Sequence, residues 1–103
     1  MVFNQSPEAP GHYLQRKYLV PLNISQNKLA RDLDVPPMRV NEIIRQRRGI
    51  TADTALRLAR YFDTSPELWL KLQMDYDLFY VRQKSEHKIN QLIRKGLTEN
   101  VKK

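Results

Sequence analysis

Residues 25–44 read SQNKLARDLDVPPMRVNEII, two amphipathic halves that meet at a Pro-Pro pair. Ser25 is an N-cap residue by type, with Lys28 three positions on in place of the Glu of a capping box. Leu29, Ala30 and Leu33 then share one apolar side, while Lys28, Arg31 and Asp32 turn outward. Asp34 stands where this helix must turn, and Asp accepts the left-handed conformation less well than Gly but better than most residues. Pro37 suits the first turn of a second helix, because it has no N–H to lose there and its φ is already helical. Each proline also drives the residue before it out of the α region, so Val35 and Pro36 form an extended corner. A sharp, stiff turn between two short helices is the expectation.

The second helix, over residues 37–46, places Val40, Ile43 and Ile44 on one face. At 100° per residue the opposite face carries Met38, Asn41, Glu42 and Arg45, with Arg39 and Gln46 at its shoulder. Arg47-Arg48-Gly49 should end it, with cations at the negative end of the helix dipole and Gly as the stop. Thr51 caps ADTALRLARYF, in which Ala55, Leu56, Leu58, Ala59 and Phe62 supply apolar positions. Ser65-Pro66-Glu67 opens the next helix, with Leu68, Trp69, Leu72 and Tyr76 inward.

Outward from this centre the signals weaken. Residues 1–9 read as a flexible leader. HYLQRKYLV, with Tyr13 or Leu14, Lys17, Tyr18 and then Leu22, hints at a first helix. Pro21 should stop or kink it, pushing Val20 toward extended geometry. After Tyr76, DLFYVRQKS continues the preceding helix, and SEHKINQLIRKG reads as a last one, capped by Ser85 and stopped by Gly96. Residues 97–103 should fray. With no strand signal, internal repeat or low-complexity segment, the chain is expected to be all-α.

The bulk properties narrow the function. The 103 residues suit one compact domain, and 41% hydrophobic content is enough for a core. Absence of cysteine removes disulfides and thiolate metal sites, and His12 and His87 lie far apart. No metal or other cofactor is therefore expected. No apolar run approaches the roughly 20 residues of a membrane span, and MVFNQSPEAPGH lacks a signal-peptide core, so no membrane role and a cytoplasmic location are expected. A net charge of +7 suits a chain that meets a polyanion. Residues 1–48 hold eight Lys/Arg against four Asp/Glu, residues 49–76 three against four, and residues 77–103 seven against three. The middle is near neutral and both flanks are basic.

Two short helices joined by a tight corner inside a small helical domain make a helix-turn-helix, whose second helix lies in the major groove. Its outward residues fit that task. Arg39 and Arg45 can donate to guanine or phosphate, Asn41 can pair with adenine, Glu42 can accept from cytosine, and Met38 can meet a thymine methyl. Glu42 otherwise repels phosphate, so it must read a base or neutralise a neighbour such as Arg39 or Arg45. Phosphates would be held by Ser25, Gln26 and Asn27 at a helix start and by Arg47, Arg48 and Thr51 beyond the groove helix. Against an enzyme, none of Asp32, Asp34, Asp53 and Asp63 has a histidine or second carboxylate at an acid–base or metal spacing.

The pieces SQNKLA, VPPMRVNEI, RGITADTALRLARYF and TSPELWLKLQ closely resemble the HigA family of antitoxins, within the XRE/Cro-like helix-turn-helix superfamily. The similarity covers roughly residues 10–78. It implies a five-helix Cro/C1-type DNA-binding domain over 10–78, with a helical C-terminal extension over 79–103. It also implies an antitoxin of a toxin–antitoxin module that binds double-stranded operator DNA of its own operon as a homodimer. Such an antitoxin represses transcription and neutralises a HigB-type, ribosome-dependent mRNA-cleaving toxin. The alternative is a stand-alone XRE-type repressor without a toxin. By position, Ser25, Gln26 and Asn27 match the phosphate region of the first helix, and Pro37, Met38, Arg39, Asn41, Glu42 and Arg45 the recognition helix. The family often has Gly where Asp34 stands and a basic residue where Met38 stands, which implies a different base preference.

A dyad would place two recognition helices about 34 Å apart on a palindrome. Trp69, Leu72, Tyr76, Leu78 and Phe79 are the candidate dimer contacts, with Val81, Ile89, Leu92 and Ile93 further along the extension. The competing expectation is that these residues fold back on their own domain.

Overall fold

The computed structural model describes residues 6–96, and every regular element among them is helical, with no strand. Five helices follow one another. α1 spans residues 10–22, α2 Gln26–Leu33, α3 Pro37–Ile44 and α4 Ala52–Phe62. α5 spans residues 66–92, in which Pro66–Val81 and His87–Leu92 are joined by a π turn at Arg82–Glu86.

The local chemistry read from the sequence sets most boundaries. Ser25 Oγ accepts the Lys28 N–H at 3.0 Å, Thr51 Oγ1 that of Thr54 at 3.3 Å, and Ser65 Oγ that of Leu68 at 3.1 Å. Pro36 is extended (φ −62°, ψ 143°) and Pro37 begins α3. Asp34 is left-handed (φ 59°, ψ 49°). Around it the Asp34 N–H donates to Arg31 O and the Val35 N–H to Ala30 O, so two carbonyls at the end of α2 are satisfied before the corner.

Elsewhere the structure corrects the expectations. Pro21 does not stop α1, and Val20 is helical (φ −68°, ψ −53°), not extended. A π turn at Gln15–Leu19 immediately precedes it, widening the backbone where the proline ring would crowd a carbonyl one turn back. α1 ends instead at left-handed Asn23 (φ 56°), with the Ile24 N–H donating to Leu19 O. α3 stops at Ile44 rather than residue 46, and the left-handed residue is Gln46 (φ 62°), not Gly49. Ser85 caps nothing, because it lies inside the π turn, and Gly96 stops nothing, because the chain has already become extended at Ile93 (φ −112°, ψ 115°). Within the leader, Ala9 is buried and the Glu8 carboxylate accepts from Arg16 Nε at 2.7 Å and Nη2 at 2.9 Å while also bonding His12. Residues 1–5 of that leader and the fraying expected at 97–103 lie outside the described residues.

The core gathers Leu14, Leu29, Val40, Leu58 and Trp69, each at most 2% exposed. Trp69 has no exposed surface, and its Nε1–H donates to Thr64 Oγ1 at 2.8 Å. Tyr13 packs edge-on against it at 5.6 Å between centroids, and Tyr18 stacks on Phe62 at 4.2 Å. Trp69 is therefore a core residue and, contrary to expectation, offers no surface to a dimer partner. Leu56, expected to supply an apolar position, faces solvent at 60% exposure. The described part of the extension, up to residue 96, does not fold back: α5 runs past Leu78 without a break, and beyond Val81 every described side chain except that of Ser85 is exposed. The molecule is accordingly elongated, 54 × 31 × 25 Å, with a radius of gyration of 17.5 Å. A compact chain of this length would have about 13 Å.

Candidate nucleic-acid interface

α3 is held by its apolar side. Val40 and Ile43 are 2% and 3% exposed, and Ile44 packs against the same core. The opposite side is thereby forced outward: Met38 is 67% exposed, and Asn41 and Arg45 are exposed with it. From below, α1 supports α3 closely. A Cβ on Gly11 would lie 2.1 Å from Ile43 O, so only glycine lets the two backbones approach this far.

The outward residues are not equally free. Asn41 Nδ2 donates to Gln26 Oε1 at 3.1 Å, tying the outer face of α3 to the first turn of α2. That bond uses one of the two Asn41 amide hydrogens and leaves the other, with Oδ1, facing outward. Glu42 accepts from Arg48 Nε at 2.8 Å. Its neutralising partner is thus a cation in the following loop, not Arg39 or Arg45. Arg39 turns sideways, donating through Nη1 to Asp53 Oδ2 at 3.3 Å, and its side chain is 28% exposed. Among the described residues no carboxylate pairs with Arg45 or Arg47. These two, with Met38, are the least committed side chains of the surface.

Ser25, Gln26 and Asn27 stand together at the start of α2, with Ser25 and Asn27 exposed and Gln26 half-buried against Asn41. Thr51 is at the start of α4, where its hydroxyl is occupied with Thr54. The α2 start, the outer side of α3 and the Arg47–Thr51 loop therefore form the surroundings of one exposed helix. Leu72, Tyr76, Leu78 and Phe79 are elsewhere, on α5: Leu72 packs on the core, Tyr76 is half-buried, and Leu78 is 42% exposed.

Two supports escaped the sequence. Gln73 Oε1 accepts the Ile50 N–H at 2.7 Å, while its Nε2 donates to Asp77 Oδ1 at 2.9 Å. Tyr76 O–H donates to Gln46 Oε1 at 2.9 Å. Together they fasten the turn after α3 to α5 across separations of 23 and 30 residues, which no local pattern can reveal. The second support is Asp53, whose Oδ2 takes both Arg39 and, at 2.9 Å, Arg57 Nε. Arg57 in turn donates through Nη1 to the Leu33 and Asp34 carbonyls at 2.9 and 3.3 Å, closing the helix corner from α4. The Arg57 guanidinium is the main cause holding the Asp53 carboxyl below its ordinary value, with Arg39 adding to it. The i, i+4 spacing of Asp53 and Arg57 was readable; their reach to Arg39 and Leu33 was not.

No described helix is long and apolar enough to cross a membrane, and the described residues hold no cluster of three potential metal-ligating side chains.

Comparison with known proteins agrees with this geometry. A family described as helix-turn-helix matches residues 15–69. Virulence-associated protein I of Dichelobacter nodosus is 51% identical over 74 residues, which are 72% of this chain and 68% of that protein. Antitoxin HigA-1 of Vibrio cholerae is 32% identical over 79 residues, covering 76% and 73% of the two chains. Among solved structures, the Pseudomonas aeruginosa antitoxin HigA with higBA promoter superposes with a TM-score of 0.81 at 42% identity, over 88% of this chain and 99% of that one.

Proposed function

The chain belongs to the helix-turn-helix family and, within it, to the HigA-type antitoxins, which are not enzymes, and from that premise we propose that it is a self-regulating antitoxin. It binds the operator of its own operon as a homodimer, represses transcription, and neutralises an mRNA-cleaving toxin of the HigB type. α3 enters the major groove. Met38, Arg39, Asn41, Glu42 and Arg45 meet base edges, with Pro37 setting the helix start. Ser25, Gln26, Asn27, Arg47, Arg48 and Thr51 meet phosphates on either side.

One observation carries the DNA-binding part. The buried Val40 and Ile43 lock α3 so that Met38, Asn41 and Arg45 project together from a single exposed helix face. A rigid face with mixed donors and acceptors is what reading a base-pair sequence requires. The toxin-neutralising part rests on kinship with antitoxins.

The DNA reading is tested with a labelled duplex from the promoter ahead of the chain's own reading frame, titrated over a salt series. Binding should exceed that to mixed-sequence DNA and fall with salt at about 0.9 log units per phosphate contact. Arg45→Ala should cost about 1–3 kcal/mol and relax preference at one base pair. Parental affinity in that variant would remove Arg45 from the groove. Co-expression with the product of the adjacent frame tests the toxin: a stable complex and rescued growth are expected, and neither result would leave only the repressor.

A further inference from the structure

Arg39 and Arg45 both stand on the α3 segment assigned to base edges, yet they are treated differently. Arg45 is exposed and unengaged by any described carboxylate, while Arg39 is drawn back to 28% exposure by Asp53. Asp53 belongs to the first turn of α4, beside the Thr51 cap that the proposed reading sets against a phosphate. We propose that Asp53 is a specificity-determining residue, a carboxylate that reserves the Arg39 guanidinium for an uncharged base edge and denies it to phosphate. This rests on the DNA-binding reading above and deepens it.

The reasoning is electrostatic. A phosphate close enough to take Arg39 must also approach the Asp53 carboxylate, and two like charges sharing one cation repel. A guanine edge offers two acceptors without net charge and meets no such repulsion. Asp53 engages Arg39 through Nη1 alone at 3.3 Å, so the other edge of the guanidinium remains available to a base. Repulsion of the wrong partner is how charges build selectivity rather than affinity. Asp53 also touches Arg57, but Arg57 is anchored independently by the Leu33 and Asp34 carbonyls. Removing the Asp53 charge releases both guanidiniums from that carboxylate, but Arg57 keeps its two carbonyl anchors, whereas Arg39 has no other side-chain hydrogen bond among the described residues.

The test compares the full-length parent, Asp53→Asn, Arg39→Ala and the double variant on the promoter duplex and on a mixed-sequence duplex, each over a salt series. Asn keeps the size of Asp at a position 58% exposed, and thermal melts verify that each variant is folded. Asp53→Asn should bind mixed-sequence DNA severalfold tighter, with a salt slope steeper by about 0.9 per protomer, or about 1.8 for the dimer, and should bind the promoter with a smaller preference over mixed sequence. In the Arg39→Ala background the same change should leave the slope unaltered. Steepening of equal size in both backgrounds would make Asp53 a general surface charge and overturn the proposal. So would an undiminished promoter preference in Asp53→Asn. A parent protein that does not prefer its promoter at all would instead overturn the DNA reading, and this proposal with it.

Discussion

At the scale of single residues, the C-terminal ends of the helices are turned by left-handed polar residues rather than by glycine, and backbone N–H groups close them. Asn23, Asp34, Gln46 and Asp63 all take positive φ, and none of the described glycines does. Asp34 is the informative case, because among the described residues its side chain makes no hydrogen bond that would favour the left-handed backbone, and it is its carbonyl that accepts from Arg57. Asp34→Gly should therefore relieve the Cβ crowding and stabilise the fold by about 0.5–1 kcal/mol, read as a thermal midpoint several degrees higher. Carboxylates also set the acid limit. Asp32 is held below its ordinary value first by the Tyr61 hydroxyl, at 2.6 Å, and then by Lys28; Glu8 is lowered chiefly by Arg16. A lowered folded value means stability that is present above the unfolded value and lost as pH falls through the folded one. The thermal midpoint should stay level from neutral pH down to about 5 and then decline, and Asp32→Asn should make that decline shallower.

At the scale of elements, the turn after α3 depends on α5. The Ile50 N–H has Gln73 Oε1 as its partner, and Gly49 lies so near that a Cβ there would come within 3.3 Å of the Gln73 side chain. Gln73→Ala leaves a part-buried N–H unpaired, at a cost of about 1–3 kcal/mol. Its local mark should be faster amide exchange at Ile50 than at Leu29, whose α2 bonds are untouched. Equal protection before and after the change would show that the turn holds itself. This dependence also explains what could be read in advance. The caps at Ser25, Thr51 and Ser65, the left-handed Asp34 and the Pro37 start were legible because each is decided by atoms within four residues. Pro21 misled because the accommodating π turn has no sequence signature of its own. Ser85 misled because a capping side chain cannot end a helix that carries no Gly or Pro between Glu67 and Lys95. The outward face of α3 was legible by period alone. The pairing of Arg39 with Asp53 and of Glu42 with Arg48 was not, since both are made across loops.

At the scale of the whole molecule, α5 leaves the domain with apolar side chains still uncovered. Met74 and Val81 are each 51% exposed and Leu78 is 42% exposed, one helical turn or less apart along the same stretch, and Leu92 and Ile93 follow at 71% and 67%. A monomer gains nothing from extending such a helix into water, whereas a second copy laid against it would bury those side chains and supply the second recognition helix that the proposed operator reading needs. Leu78→Glu puts a charge into the middle of that stretch without touching Trp69 or the core of the domain. In sedimentation experiments the parent should run as the proposed dimer and the variant toward monomer, with an unchanged thermal transition for the domain itself measured on the monomer. Binding to the promoter duplex should then weaken far more than binding to mixed-sequence DNA, because only paired half-sites multiply specificity. A Leu78→Glu protein that sediments as a dimer and keeps its promoter preference would place the dyad on another surface, and the half-site spacing would have to be drawn from there.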